Sequence, residues 1–169
     1  MMLLVYFFSG CDGYFKDTRT DMTFKNNADY SISIYSVLII PWDYSAPLLY
    51  PDTTLPLQKP SSKIRNISPH GFIIYNSTVV DVSSQYRNYN TDTISFFVFS
   101  TDSMESLGWD SIRSTYGILQ RYDISLNEYL SLYSNHPWKL PCFPPSSEMR
   151  NIKMWPPYGT YDANGNRVN

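Results

Sequence analysis

Apolar residues are continuous from Met1 to Phe8, MMLLVYFF, and stop at Ser9-Gly10-Cys11. A strand built from that run would be apolar on both faces, which suits only the centre of a buried sheet. A short apolar run closed by small residues at a terminus is also the form of a secretory signal. Residues 11–29 then turn polar, with Asp, Gly and Asn throughout, and read as a tether leading into the fold. From Tyr30 the period becomes two: Tyr30, Ile32 and Ile34 alternate with Ser31, Ser33 and Tyr35, which predicts a half-buried strand ended before Pro41. Residues 41–69 are proline-marked and predict a long loop with one edge strand at most.

HGFIIYNSTVV, from His70, and TISFFVFST, from Thr93, are two further β runs, the second apolar enough for burial on both faces. The period then changes. Met104, Leu107, Ile112, Tyr116 and Leu119 recur at three to five residue steps, a helical stripe within DSMESLGWDSIRSTYGILQRYD. Ser125-Leu126-Asn127-Glu128 is a capping box, which places a second helix immediately after it, closed at Asn135-His136-Pro137. WKLPCF returns as a short strand, and PPYGTYDANGNRVN reads as a hairpin or a frayed tail. Strands first and helices afterwards predict one α+β domain over residues 30–169, an antiparallel β-sheet or small β-sandwich with a C-terminal pair of helices and a turn-rich tail.

Composition narrows the function classes. Thirteen Lys and Arg face fifteen Asp and Glu, for a net charge of −2, and neither sign forms a run. Nucleic acid is therefore not an expected partner, because that affinity rests on clustered cations. No apolar stretch approaches the ~20 residues of a spanning helix. Aromatic residues make up 17% of the chain, with 15 Tyr. Trp42, Tyr44, Tyr50, Tyr86 and Tyr89 fall in expected loops and form a candidate stacking platform for a ligand. The competing expectation is that neighbouring loops cover these rings.

Chemistry-bearing motifs are sparse. HExxH, Gly-x-Ser-x-Gly, the P-loop and GxGxxG are all missing, and no cofactor or metal is expected. His70 and His136 each stand at an element boundary near a proline and read as turn residues. Glu105, Glu128 and Glu148 have helix-end or surface explanations, and Asp102 and Asp123 read as turn or helix-cap residues, so no carboxylate pair for glycoside hydrolysis is expected. Asp162, Asn164 and Asn166 space like the start of a calcium loop, but Arg167 follows where the pattern does not want it, and an Asn-Gly turn is the better account.

Phe8-Ser9-Gly10-Cys11 resembles the lipobox of bacterial lipoproteins, in which the cysteine sulfur is acylated and the chain is cut before it. The resemblance implies Cys11 as the lipid-attachment residue and residues 1–10 as a signal-like segment. The first cation of the chain is Lys16, so the basic residues that open such a signal are expected upstream of Met1. Cys142 is then a packed thiol, the alternative being a disulfide with Cys11. YPDTTLP at Tyr50–Pro56 and the stretch from Ile94 through WDSI and RYDIS to Leu130 resemble small lipoproteins of the Bacteroides group. That resemblance implies a cell envelope location, with the membrane as a partner through Cys11, and supplies no catalytic residues. Together these readings give a lipid-anchored, non-catalytic accessory or binding module of the outer membrane whose candidate partners are a glycan, a peptide or another envelope protein. An unrecognised envelope enzyme and a structural envelope component are the alternatives.

Overall fold

A computed structural model describes residues 22–36, 49–75, 83, 86–87, 91–135 and 140–168. Two sheets organise them. The larger has the order β3-β2-β5-β6-β8, antiparallel throughout, from strands β2 (Ile32–Ser36), β3 (Ile64–Ile67), β5 (Thr93–Ser100), β6 (Gln120–Ser125) and β8 (Lys153–Trp155). The smaller joins β4 (Phe72–Tyr75), β1 (Met22–Asn26) and β7 (Cys142–Phe143), with β1 antiparallel to β4 and parallel to β7. Three helices, α1 (Thr101–Ser106), α2 (Trp109–Thr115) and α3 (Leu126–Asn135), fall between β5 and β7. The α+β class holds, and the helices flank β6 instead of following all the strands.

The register assigns each strand residue a face, because side chains alternate along a strand. Ile34, Val98 and Gln120 share one face of the large sheet, as do Phe96, Tyr122 and Met154. This inner face meets the small sheet: Phe24 of β1 stacks on Phe96 at 6.3 Å and lies 6.0 Å from Tyr122, whose hydroxyl donates to the Cys142 carbonyl at 2.8 Å. The outer face carries Tyr35, Phe97, Arg121 and Trp155 in one row and Ser95, Asp123 and Lys153 in the next.

Four expectations need correction. The 11–29 tether contains β1, and Phe24 is fully buried. Its polar neighbours bind inside the fold: Asn26 donates to the carbonyls of Tyr30, Ile67 and Ser68, and the Thr23 amide donates to the Tyr129 hydroxyl. β2 is buried on both faces, since Tyr50 covers Tyr35 and their hydroxyls meet at 3.0 Å. The helical stripe from Met104 to Leu119 is two short helices, broken where Leu107 turns extended before Gly108. QRYD, read as the end of the helical-stripe segment, belongs to β6; the next helix begins at Leu126, where Glu128 accepts from the Ser125 amide at 2.7 Å as the capping box requires.

The tail is pinned rather than frayed. Asp162 Oδ1 accepts from the amides of Asn164 and Asn166, both at 2.9 Å, and those bonds draw its pKa down. The Gly165 carbonyl accepts from the Tyr30 hydroxyl at 2.7 Å. Gly165 has φ 87°, and a Cβ there would stand 2.6 Å from that of Ala28. Gly165→Ala combines backbone strain with overlap and is expected to cost about 1–3 kcal/mol, read as a lower urea midpoint. A loss confined to a few tenths would mean that the tail is not docked on the Ala28 turn.

Candidate functional site

The outer face of β6 holds two charges that a half-buried strand would ordinarily direct to water. Arg121 and Asp123 lie two residues apart, so they point the same way, and each side chain is under 5% exposed. Burial works against an isolated charge, so such a pair persists only if both ions are paired and hydrogen-bonded. Arg121 Nε donates to Asp123 Oδ1 at 2.8 Å and Nη2 to Oδ2 at 3.1 Å, a two-pronged contact. Its Nη1 donates to the Pro51 carbonyl at 2.9 Å and its Nη2 to the Tyr50 carbonyl. The guanidinium also lies 5.5 Å from the centre of the Phe97 ring. Burial pulls the Arg121 pKa down, and the hydrogen bonds and charge of Asp123 more than reverse that, leaving it raised.

Asp123 is satisfied on both oxygens. Ser95 Oγ donates to Oδ1 at 2.7 Å, and Lys153 Nζ reaches Oδ2 at 3.1 Å from the facing position on β8. Lys153 also meets Asp52 Oδ1 at 3.3 Å, and Asp52 stands 3.8 Å from Arg121 Nη1. Hydrogen bonds to Asp123 and Asp52 raise the Lys153 pKa. The four charges sum to zero. The segment 50–52 is thereby tied to the sheet through its carbonyls and Asp52.

Beside this network, Tyr116 and Trp155 form an aromatic corner with ring centres 5.2 Å apart and planes 52° from each other. Trp155 remains 47% exposed. With Asp52, Thr53, Arg121, Asp123, Lys153 and Met154 they bound a cavity of about 230 Å³. Thr53 and Tyr116 have φ of 61° and 49°, in the left-handed region that Gly adopts more readily. Tyr116 caps α2 in that conformation. Its hydroxyl is buried and closes no hydrogen bond of standard geometry among the described residues. Burial raises the Tyr116 pKa, and nearby Arg121 opposes the rise. Two of the three non-glycine residues with positive φ among those described therefore line this cavity, and local strain of this kind concentrates at working sites.

Of the five residues of the expected platform, two are described, and both are covered. Tyr50 and Tyr86 are buried, at 7% and 1% exposure. Tyr50 packs edge-on to Phe97 at 5.5 Å, and the Tyr86 hydroxyl donates to the Ile124 carbonyl at 3.0 Å, so both rings are engaged within the fold. Trp42, Tyr44, Tyr89, His136 and Cys11 lie outside the described residues. His70 sits in a turn at φ 56° with Nε2 3.1 Å from Asp29. Cys142 is buried 3.7 Å from the Met149 sulfur, and burial pushes its thiol pKa up. Asp123, read from sequence as a turn or cap residue, is instead the centre of the charge network in mid-strand. Lys153, Asp52 and Trp155 carry no functional signal in the sequence, Tyr116 only its place in the helical stripe, and Arg121 only the alternation of Gln120, Tyr122 and Ile124 with Arg121 and Asp123. That alternation was the available clue, since a charged pair on a strand flanked by buried residues must find partners. Comparison with known family models, with curated proteins and with solved structures finds no match to this chain.

Proposed function

We propose that this chain is a lipid-anchored cell-envelope protein, held at the outer membrane through Cys11, that works as a non-catalytic binding module. Its ligand seats on Trp155 and Tyr116 over the Asp52, Arg121, Asp123 and Lys153 network. The observation that carries the binding role is an exposed tryptophan fixed at the mouth of a cavity whose floor is a closed set of ion pairs. Binding is favoured over catalysis because both Asp123 oxygens are occupied by donors, so this carboxylate has no site from which to move a proton or attack a substrate. The lipobox-like Phe8-Ser9-Gly10-Cys11 supports the anchor. Attachment through two or three acyl chains is nearly permanent, at about 0.8 kcal/mol per buried CH₂.

Metabolic labelling with a radioactive fatty acid, followed by membrane fractionation, tests the anchor. The protein is expected to carry label and sediment with outer membranes, while Cys11→Ser is unlabelled and released. Label on the Cys11→Ser protein would remove the assignment. A second reading, a structural envelope component that docks through a sheet edge, draws support from Phe72 and Ile74, 64% and 46% exposed on β4, an edge strand among the described residues.

A further inference from the structure

We infer that the Trp155 cavity takes a neutral, hydroxylated ring, one sugar unit of an uncharged glycan, and not an anion or a cation. The inference rests on the binding role proposed above and specifies its ligand.

Arg121 looks at first like an anion receptor, but its donors are already committed. Of the five N–H groups of a guanidinium, four go to Asp123, Pro51 and Tyr50, and Nη1 also lies 3.8 Å from Asp52. No open fork remains for a carboxylate or phosphate. An anion reaching the remaining Lys153 N–H would stand beside the Asp52 and Asp123 carboxylates, and a cation reaching Asp52 Oδ2 would stand beside Lys153 and Arg121, so either ion meets like charge. The zero net charge of the lining residues gives neither kind of ion an electrostatic gain.

What remains open is a short and matched set. Among the described residues Asp52 meets Lys153 and Arg121 through Oδ1, which leaves Oδ2 to accept a hydrogen bond. Lys153 has three N–H groups and two carboxylate partners, which leaves one to donate. An acceptor and a donor side by side fit two adjacent hydroxyls, one giving a proton and the other receiving one. The exposed Trp155 face supplies an apolar surface for the C–H side of the same ring. The cavity, about 230 Å³, lies below the ~300–1,000 Å³ range of sites for larger ligands, which limits the occupant to about one ring. Tyr116, which packs against Trp155 with ring centres 5.2 Å apart, is itself held in a left-handed backbone conformation.

The test presents the full chain to arrays of neutral glycans, uronate- or phosphate-terminated glycans and peptides, then titrates the best ligand by calorimetry. A neutral glycan is expected to bind, with affinity nearly unchanged between tens and hundreds of millimolar salt. Trp155→Ala should weaken it by about tenfold or more, Asp52→Asn should weaken it also, and Trp155→Phe should retain part of it, with circular dichroism confirming that each variant is folded. Stronger binding of charged glycans, or Trp155-dependent binding of a peptide, would overturn the ligand class and leave the binding role standing. Neutral glycan binding that is indifferent to Trp155→Ala would overturn the site. Silence on all three arrays would overturn both the ligand class and the binding role.

Discussion

Asp123→Ala is expected to cost about 3–5 kcal/mol, because it removes two hydrogen bonds from the buried Arg121 guanidinium and leaves it only the more distant, mostly exposed Asp52 as counterion. A domain of this size has about 5–15 kcal/mol in total, so the variant should show a urea midpoint near half that of the parent, or fail to fold. The size of the effect follows from geometry. Arg121 is 4% exposed and relies on Asp123 for two of its hydrogen bonds, and Lys153, itself mostly in water, supplies a positive charge that would then repel it. Replacing both members with apolar residues, Arg121→Met with Asp123→Leu, is expected to recover most of the loss, since a matched apolar pair leaves no stranded charge. A single-variant cost below about 1 kcal/mol would identify the pair as a solvated surface bridge.

Phe24→Ala ranks second, at about 3–5 kcal/mol for removing a fully buried ring. Phe24 contacts Phe96 on β5 and Tyr122 on β6, so it is an aromatic link from the small sheet into the large one. Thermal unfolding should shift down by many degrees. The measurement also discriminates between two views of residues 22–26: a tether would tolerate the change with no effect on stability, whereas a core strand cannot. Hydrogen exchange on β1 amides would give the same answer independently, because a tether exchanges at once.

How much of this was legible in the sequence depended on whether hydrophobicity alone carried the element. β5 was plain, because Ile94, Phe96, Phe97, Val98 and Phe99 leave no polar face and all are buried. The Ser125 and Glu128 box was plain because capping is a local contact set by spacing. β1 was hidden, since one phenylalanine among Thr, Lys and Asn does not reveal a strand; what makes it one is pairing with β4 and β7, both distant along the chain. β6 was hidden for a related reason. Arg121 and Asp123 look like surface residues until the carbonyls of Tyr50 and Pro51 and the amine of Lys153 are brought to them. Candidate site residues suffered most. Of the two expectations for the loop tyrosines, coverage holds at Tyr50 and Tyr86, because a tyrosine ring buries readily when its hydroxyl finds a partner.

The alternation along β6 has a further consequence for how this protein can vary. Gln120, Tyr122 and Ile124 serve the interior between the sheets, while Arg121 and Asp123 serve the opposite side. Lys153, Trp155, Asp52 and Thr53 surround that second side without entering the interior. That second side is itself divided: Tyr35, Phe97 and Phe99 are buried on it, whereas Lys153 and Trp155 at its β8 end are exposed. A ligand seated as proposed would meet Trp155, Lys153 and the 52–53 turn, so changes there alter the outer surface while the buried joint at Arg121 and Asp123 keeps segment 50–52 fixed to the sheet.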